Sequence, residues 1–353
     1  MAVTLCMVNY NGERYLEESL KSVFDQKENF SEILLVDNAS EDKSLEIIRK
    51  KVPFVKVVKL KKNLGPGAAR NEGFNSTNND LVLFIDNDVC LSTNCAVELI
   101  RTLNINPSAA VAMPRVLYPA NGRKNKIQYD GADCHFLGHM ILHNVNRYVN
   151  NLQNIPQKID SLVTACFLMD REKLQRSNPF DETFFFNYED HDFGLRTRIS
   201  GNEILSVPAA LCYHREGTAG LSLREGGEYS KLRVFCLIRN RWLIILKNYH
   251  LNTILLLAPV FIIYEIFQLA GVIKKGWMMQ WLKASFWIMF NLNKILLKRR
   301  AVQKARVIPD REILKGGPIP FTAELTKSSL EITVKIFLDF ITGAYWNQIK
   351  RFI

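Results

Sequence analysis

Leu81-Val82-Leu83-Phe84-Ile85-Asp86-Asn87-Asp88-Val89 is the stretch that decides how the chain is read. Its apolar run, Leu81 to Ile85, suits a strand covered on both faces, as in a parallel sheet. The run stops at two carboxylates, Asp86 and Asp88, and open α/β sheets bind ligands beyond the carboxyl ends of their strands. Paired carboxylates repel unless a cation lies between them. Mg²⁺ or Mn²⁺ takes one or two protein carboxylates together with the phosphate oxygens of a substrate. An isolated Asp-x-Asp also occurs as a solvated loop or a helix cap, so the motif needs its neighbours.

Upstream, Val3 to Val8 is a short apolar run ending at Asn9, followed by Tyr10-Asn11-Gly12 and an amphipathic pattern through Leu16, Leu20, Val23 and Phe24. This is strand, turn, helix. Ile33 to Val36 is a second strand ending in Asp37-Asn38-Ala39-Ser40, with Ser40 expected to cap the next helix. Phe54 to Leu60 is a third, followed by the glycine-punctuated Asn63 to Gly73. Strands and helices alternating at this spacing predict a doubly wound α/β sheet. Asn9, Asp37 and Asp86 then share one carboxyl edge: an acid after the second strand suits a nucleoside, and the acids after the fourth suit phosphates through a metal. No Walker A pattern occurs, and Gly65-x-Gly67 lacks the dinucleotide fingerprint, so kinase and dehydrogenase readings are weak.

Downstream, Pro107 to about Pro156 reads as a polar, loop-rich middle. His135, His139 and His143 would form a metal-binding stripe on a helix, but Gly131, Gly138 and the nearby asparagines argue against one. Phe184 to Arg196, FFFNYEDHDFGLR, places Glu189, Asp190 and Asp192 behind an aromatic run. At a helix N-terminus the ionised form of such acids is favoured, and a carboxylate in a cleft can act as general base toward an alcohol; plain N-capping is the alternative. Cys212 to Thr218 reads as a turn whose His214 can face a metal or a phosphate.

The chain has 353 residues, enough for two domains or one with a long extension, and a net charge of +11. Eight basic residues (Lys294, Lys298, Arg299, Arg300, Lys304, Arg306, Arg311, Lys315) gather near the end against Asp310 and Glu312. Such a cluster wants a polyanion, and the apolar sequence before it selects a membrane surface over nucleic acid. Seven cysteines without Cys-x-x-Cys exclude a disulfide framework and a zinc knuckle, and the N-terminus has no signal-peptide pattern, which points to a reducing cytosol. Ile254 to Ile273 is interrupted only by Glu265 and Gln268, long enough to cross a bilayer if both are tolerated. Trp277 to Lys298 carries a narrow polar stripe typical of an interfacial helix, and Ser328 to Tyr345 is a further amphipathic candidate with Lys327, Glu331, Lys335 and Asp339 at steps of four. Three readings stay open for this tail: an in-plane anchor, a spanning or re-entrant hairpin, and a soluble helical subdomain or homodimer interface.

Taken together, VNYNG (8–12), LLVDNAS (34–40), NLGPGAARNEG (63–73), FIDNDV (84–89), PFDETFFFNYEDHDFGLR (179–196) and HREGT (214–218) resemble, in order and spacing, a family 2 glycosyltransferase of the GT-A type over roughly residues 3–240. The EDHDFGLR and HREGT blocks, with RVIPDREIL at 306–314, are similar to its rhamnosyltransferase-like branch, although Asp86-Asn87-Asp88 stands where many of that branch have Asn-Pro-Asp. The resemblance implies a Rossmann-like mixed sheet at 1–240, while the change of composition beyond it marks 241–353 as a helical, membrane-associating extension. The resemblance implies an inverting transfer from a dTDP-, UDP- or GDP-linked sugar, assisted by Mg²⁺ or Mn²⁺. The tail, by bringing the site to the cytoplasmic face of the cell membrane, points to a hydroxyl of a polyprenol-linked saccharide or surface glycan as the acceptor. Donor binding falls to Asn9, Asp37 (near the nucleobase), Asn63, Arg70 and Asp86, metal binding to Asp86, Asp88 and His214, and catalysis to Asp190 as general base with Glu189 beside it. A nucleotidyltransferase, or an inactive GT-A scaffold, are the alternatives.

Overall fold

A computed structural model describes residues 1–119, 125–174, 178–215, 229–321 and 328–353. The strands in chain order are β1 Val3–Asn9, β2 Glu32–Asp37, β3 Lys56–Lys59, β4 Leu81–Asp86, β5 Val89–Leu91, β6 Ala109–Leu117, β7 Ile127–Tyr129, β8 Ala132–His135, β9 Met140–Leu142, β10 Gln157–Ile159, β11 Cys166–Asp170, β12 Glu203–His214 and β13 Leu314–Lys315. The main sheet runs β10-β12-β6-β11-β4-β1-β2-β3, with β5 and β7 attached to β12 and β6.

The four strands expected from the sequence are its parallel half. Helices Leu16–Phe24, Ser44–Lys51 and Pro66–Asn75 connect them. The chain steps outward from β1 to β2 and β3, then returns to place β4 on the other side of β1. This reversal between β1 and β4 creates the crevice in which open α/β sheets hold ligands. Register sets its floor: Asn9 pairs with Asp37 and Val8 with Asp86. β1 and residues 81–85 of β4 are wholly buried, as their unbroken apolar runs require. β11 then pairs antiparallel with β4 and with β6, while β12 runs parallel to β6, so the sheet is mixed.

The middle of the chain departs from its loop-rich reading. Ala109–Leu117 is a buried interior strand, concealed in the sequence by Pro114 and Arg115. Arg115 is tolerated there because its Nε donates to Asp130 at 2.9 Å. β8, β9 and β13 form a separate three-stranded sheet. Strand β12 continues to His214, where a turn was expected. Trp277 to Lys298, read as one helix, is two, Met278–Phe290 and Leu292–Lys304, breaking at Asn291. All seven cysteines are free thiols.

Helices Lys231–Asn248, Leu251–Lys274 and Ser329–Ile349 share a second apolar core with Phe136, Phe184, Leu195 and Ile199. The helix Lys231–Asn248 passes unbroken through residue 240. The C-terminal helices are therefore packed onto the element that carries Glu189 and Asp190.

Candidate active site

The crevice floor is a chain of side-chain amides and acids. Asn9 Nδ2 donates to Asp37 Oδ1 (2.8 Å) and Ser40 Oγ (3.0 Å), while Asn87 Nδ2 donates to Asn9 Oδ1 (2.8 Å). Gly12 permits this, since a Cβ there would lie 2.3 Å from Asn87 Nδ2 and 2.4 Å from Asn9 Oδ1. Asp37 is only 1% exposed, and its second oxygen accepts from the Ser40 backbone N–H at 3.1 Å. Asn9 and Asp37 thus shape the rim with their carboxylate and amide groups already engaged. Ser40, expected as a helix cap, belongs to the same network: its Oγ also accepts from the Asn11 N–H at 2.9 Å, and the next helix starts only at Ser44. Asn38 continues the chain to Asn63, whose Oδ1 accepts from Asn38 Nδ2 and from the Gly65 N–H, each at 2.9 Å.

Asn63 leads into the helix Pro66–Asn75, which carries Arg70 into the interior. Arg70 is 2% exposed; its Nη2 donates to Asp86 Oδ1 at 2.6 Å and to the Thr164 carbonyl at 2.9 Å, while Nε and Nη1 have no hydrogen-bond partner. Asp86 keeps 29% of its side chain exposed. Burial raises its pKa, Arg70 lowers it and Asp88 raises it further, so an added cation would find a carboxylate whose charge is only partly compensated.

Asp88 is buried, with Oδ1 3.5 Å from His214 Nε2. On the other face of that imidazole, Gln128 Nε2 donates to the His214 carbonyl at 2.5 Å, and both Gln128 Oε1 (3.2 Å) and the Tyr129 hydroxyl (3.3 Å) reach Nδ1. The amide oxygen accepts and the hydroxyl can donate, so the ring presents to Asp88 either an N–H or a lone pair, and a cation shared with Asp88 would use the lone-pair form. Among the described residues no three His, Cys, Asp or Glu side chains are grouped so as to hold a metal ion, so Asp86, Asp88 and His214 do not form a three-ligand site; their donor chemistry is that of a hard ion whose remaining ligands are phosphate oxygens. Glu216 to Thr218, the end of the HREGT block, lie outside the described residues.

The acids of residues 189–192 separate into two kinds. Asp192 is structural: it is buried and accepts from Arg196 (2.7 Å), Asn248 (2.9 Å) and Lys247 (2.6 Å), which hold its pKa below the usual carboxylate range against the cost of burial. Lys247 also reaches Asp181 at 2.7 Å, and Lys298 pairs with Asp181. Among the described residues Glu189 and Asp190 have no such cations in contact. Burial pushes both pKa values up, their mutual repulsion adds to the rise for Glu189, and the field of Arg70 lowers both without cancelling the rise. Glu189 Oε2 is buried without a partner, and Asp190 Oδ1 accepts from the His191 N–H at 2.7 Å. A carboxylate pushed toward neutral pH inside a cleft has the property a general base needs.

Backbone strain holds the pair in place. Phe185, Asn187 and Tyr188, just before the helix Glu189–Ile199, have φ of 59°, 60° and 69°, at a cost of order 1–3 kcal/mol for each residue so forced. Asn240 Nδ2 lies within bonding distance of the carbonyls of Phe184 (3.0 Å), Phe186 (2.9 Å) and Asn187 (2.6 Å), and Arg239 Nη2 donates to those of Thr183 (3.0 Å) and Phe184 (2.7 Å). In the sequence Arg239-Asn240-Arg241 marks only a change of composition; in the fold it clamps the loop that aims the acids. Gly65 closes the other side, since a Cβ there would lie 2.0 Å from the Phe185 carbonyl oxygen.

The three histidines do not converge on a metal. His135 and His143 are bound locally, to the Gly317 carbonyl (3.1 Å) and to Asp133 (3.0 Å), while His139 joins the hydroxyls of Tyr188 (2.8 Å) and Tyr264 (2.9 Å).

Residues 4–177 match the family described as Glycosyl transferase family 2. The amylovoran biosynthesis glycosyltransferase AmsE of Erwinia amylovora is 24% identical over 238 residues, covering 66% of this chain and 82% of that protein. An uncharacterized glycosyltransferase of Haemophilus influenzae is 38% identical over 89 residues, 24% of this chain and 36% of that protein. The chain is matched to about a third of the length of that relative and of two others. Among solved structures, GalNAc-T7 with UDP, GalNAc and Mn²⁺ superimposes with a TM-score of 0.54 at 16% identity, covering 69% of this chain and 47% of that one. Staphylococcus aureus TarS residues 1–349 with UDP-GlcNAc gives 0.51 at 18% identity, covering 86% and 87%. At these identities the superpositions establish the fold.

Proposed function

We propose that this chain, which carries a Glycosyl transferase family 2 domain over residues 4–177, transfers a sugar from a nucleotide-diphosphate donor to an acceptor hydroxyl with inversion at the anomeric carbon. The observation that carries the reading is the juxtaposition of two unlike acidic sites around Arg70: Asp86, bound to its guanidinium, and Glu189 with Asp190, which its field reaches. The crevice between β1 and β4 supports a nucleotide bound over the Asn9, Asp37 and Asn63 rim. There the acceptor oxygen attacks the anomeric carbon as the bond to the leaving diphosphate breaks, and Asp190 takes the hydroxyl proton. Glu189 titrates together with Asp190 and sets when that base is ionised. When bound, Mg²⁺ or Mn²⁺ held by Asp86, Asp88 and His214 would neutralise charge on the departing diphosphate.

For the donor we propose a hexosyl or rhamnosyl nucleotide-sugar. The RVIPDREIL block does not discriminate between them, because its contacts are architectural: Arg306 pairs with Asp310 at 2.8 Å, and Asp310 accepts from the His250 N–H at 2.6 Å. A panel of dTDP-, UDP- and GDP-sugars with Mn²⁺ or Mg²⁺, read by thermal shift and product formation, tests the reading. Failure of every donor to shift the melting temperature would overturn it.

The acceptor side is proposed to lie at the cytoplasmic face of the cell membrane. Among the described residues one helix, Leu251–Lys274, is long and apolar enough to span. Glu265 on that helix turns inward to Arg241 at 2.5 Å, while Ile262, Ile266, Phe286, Phe290, Leu297, Ile336 and Phe340 are exposed on this and the following helices. Lys298, Arg306 and Lys315 of the basic cluster are paired with Asp181, Asp310 and Asp160, but apolar faces beside the exposed Lys294, Arg300, Lys304 and Arg311 support in-plane binding to an anionic surface. Flotation with anionic liposomes should carry the full chain and weaken with salt; a protein that stays soluble and does not float would refute this part, and a dimer in its place would make the faces an interface between copies.

A further inference from the structure

A cavity of about 400 Å³ lies between the helices Lys231–Asn248, Leu251–Lys274 and Ser329–Ile349. Its walls are mainly apolar, with Ile238, Tyr264, Phe267, Trp277, Val334 and Leu338 among them, and Lys274 and Lys275 also line it. Both lysines reach one carboxylate, Glu331, at 2.9 and 3.7 Å, so among the described residues two ammonium groups share a single counter-charge. The same helices expose Ile266, Ile273, Leu330 and Ile336 to solvent. The cavity is also connected to the acidic pair: Tyr264 in its wall bonds His139, which bonds Tyr188, the residue immediately before Glu189.

The geometry points to a binding site for the hydrocarbon chain of an amphiphilic phosphate, with the chain in the cavity and the phosphate at Lys274 and Lys275. Shape and charge both select this occupant. A water-soluble sugar phosphate would leave the apolar walls unmatched, and a neutral hydrocarbon would leave the two lysines to share Glu331. Building on the proposed transfer reaction, such an amphiphile would be the lipid part of the acceptor. The Tyr264–His139–Tyr188 relay gives a physical contact by which an occupied cavity biases the segment that presents Glu189 and Asp190.

Gly271 offers a test that preserves the fold. It lines the cavity, and a Cβ built on it meets nothing within 4 Å, so a side chain starts there without a backbone clash. The full chain in phosphatidylcholine nanodiscs is irradiated with a diazirine-bearing farnesyl phosphate, and labelled residues are mapped by mass spectrometry. Labelling is expected at Ile238, Val334 and Leu338. It should fall at least about tenfold, equivalent to about 1.4 kcal/mol, in Gly271→Phe and with a matched farnesol probe. Labelling confined to outward residues such as Ile262 and Phe290, or unchanged by Gly271→Phe, would overturn the site; equal labelling by farnesol would overturn the phosphate's part in it. Thermal shifts by UDP, dTDP and GDP should be the same in both proteins. No shift by any of the three, with cavity labelling of the wild type intact, would count against the donor reading and leave the cavity standing.

Discussion

At the scale of single residues, the site separates holding a leaving group from activating an acceptor. Asp190→Asn removes the proton acceptor while keeping size and the bond to the His191 N–H, so transfer should fall by at least about a hundredfold with metal-dependent UDP binding retained. Asp88→Ala should weaken both, as should EDTA, with Mn²⁺ or Mg²⁺ restoring only the wild type. Near-normal turnover by Asp190→Asn removes the base assignment. Burial also predicts where activity stops: since the Asp190 pKa is raised, the acidic limb of the rate profile should lie above the ordinary carboxylate range. Stability follows the same pair. Glu189 titrates higher folded than unfolded, so its contribution is complete below the unfolded carboxylate pKa and is lost as pH rises through the folded value. Glu189→Gln cannot ionise, and should be more stable than wild type by about 1–3 kcal/mol above that window. The difference should vanish at acidic pH; denaturant melts at several pH values that showed it unchanged would mean the acid is compensated.

At the scale of elements, the acid-bearing helix depends on another helix for its aim. Asn240→Ala leaves the carbonyls of Phe184, Phe186 and Asn187 without their shared donor, and should cost about 1–3 kcal/mol. It should also lower turnover more than UDP affinity, because what relaxes is the left-handed turn before Glu189. Asn240→Asp should be worse than alanine, since it sets a carboxylate against those carbonyls; if alanine proves as damaging as aspartate, bulk rather than the donor holds the turn. This dependence also marks what could be read from the sequence. The parallel strands were legible because unbroken apolar runs end in Asn9, Asp37 and Asp86, and a doubly wound sheet brings such ends together. Asn240, Lys247 and Gln128 were not legible, because a polar residue inside an apolar helix or strand looks the same whether it faces water or a buried carbonyl. Ala109–Leu117 was missed for a related reason: Arg115 argues for exposure until Asp130 is known to meet it.

At the scale of the whole molecule, the C-terminal helices complete the acidic site as well as offering an apolar surface. The sequence suggests a boundary after residue 240, yet Lys247 and Asn248 lie beyond it and neutralise or bond Asp181 and Asp192, two of the acids that fix the helix Glu189–Ile199. Lys298, farther on, adds a second cation to Asp181. Removing one partner of a buried ion pair leaves an uncompensated charge, typically at a cost of about 3–5 kcal/mol, comparable with the total stability of many domains. A fragment ending at residue 240 should therefore lack a cooperative melt and a UDP-induced shift, although it contains Asp86, Asp88, Glu189 and Asp190. Within the full chain, Lys247→Met should reproduce only part of that loss, because Asp192 keeps Arg196 and Asp181 keeps Lys298. Lys247→Met with Lys298→Met strands Asp181 and should reproduce most of the loss, and adding Asp181→Asn should recover much of it. A fragment of residues 1–240 that melts cooperatively and binds nucleotide would show the two parts to be separable. A triple variant no better than the Lys247→Met, Lys298→Met pair would show that packing by the lysine stems, rather than their charge, joins them.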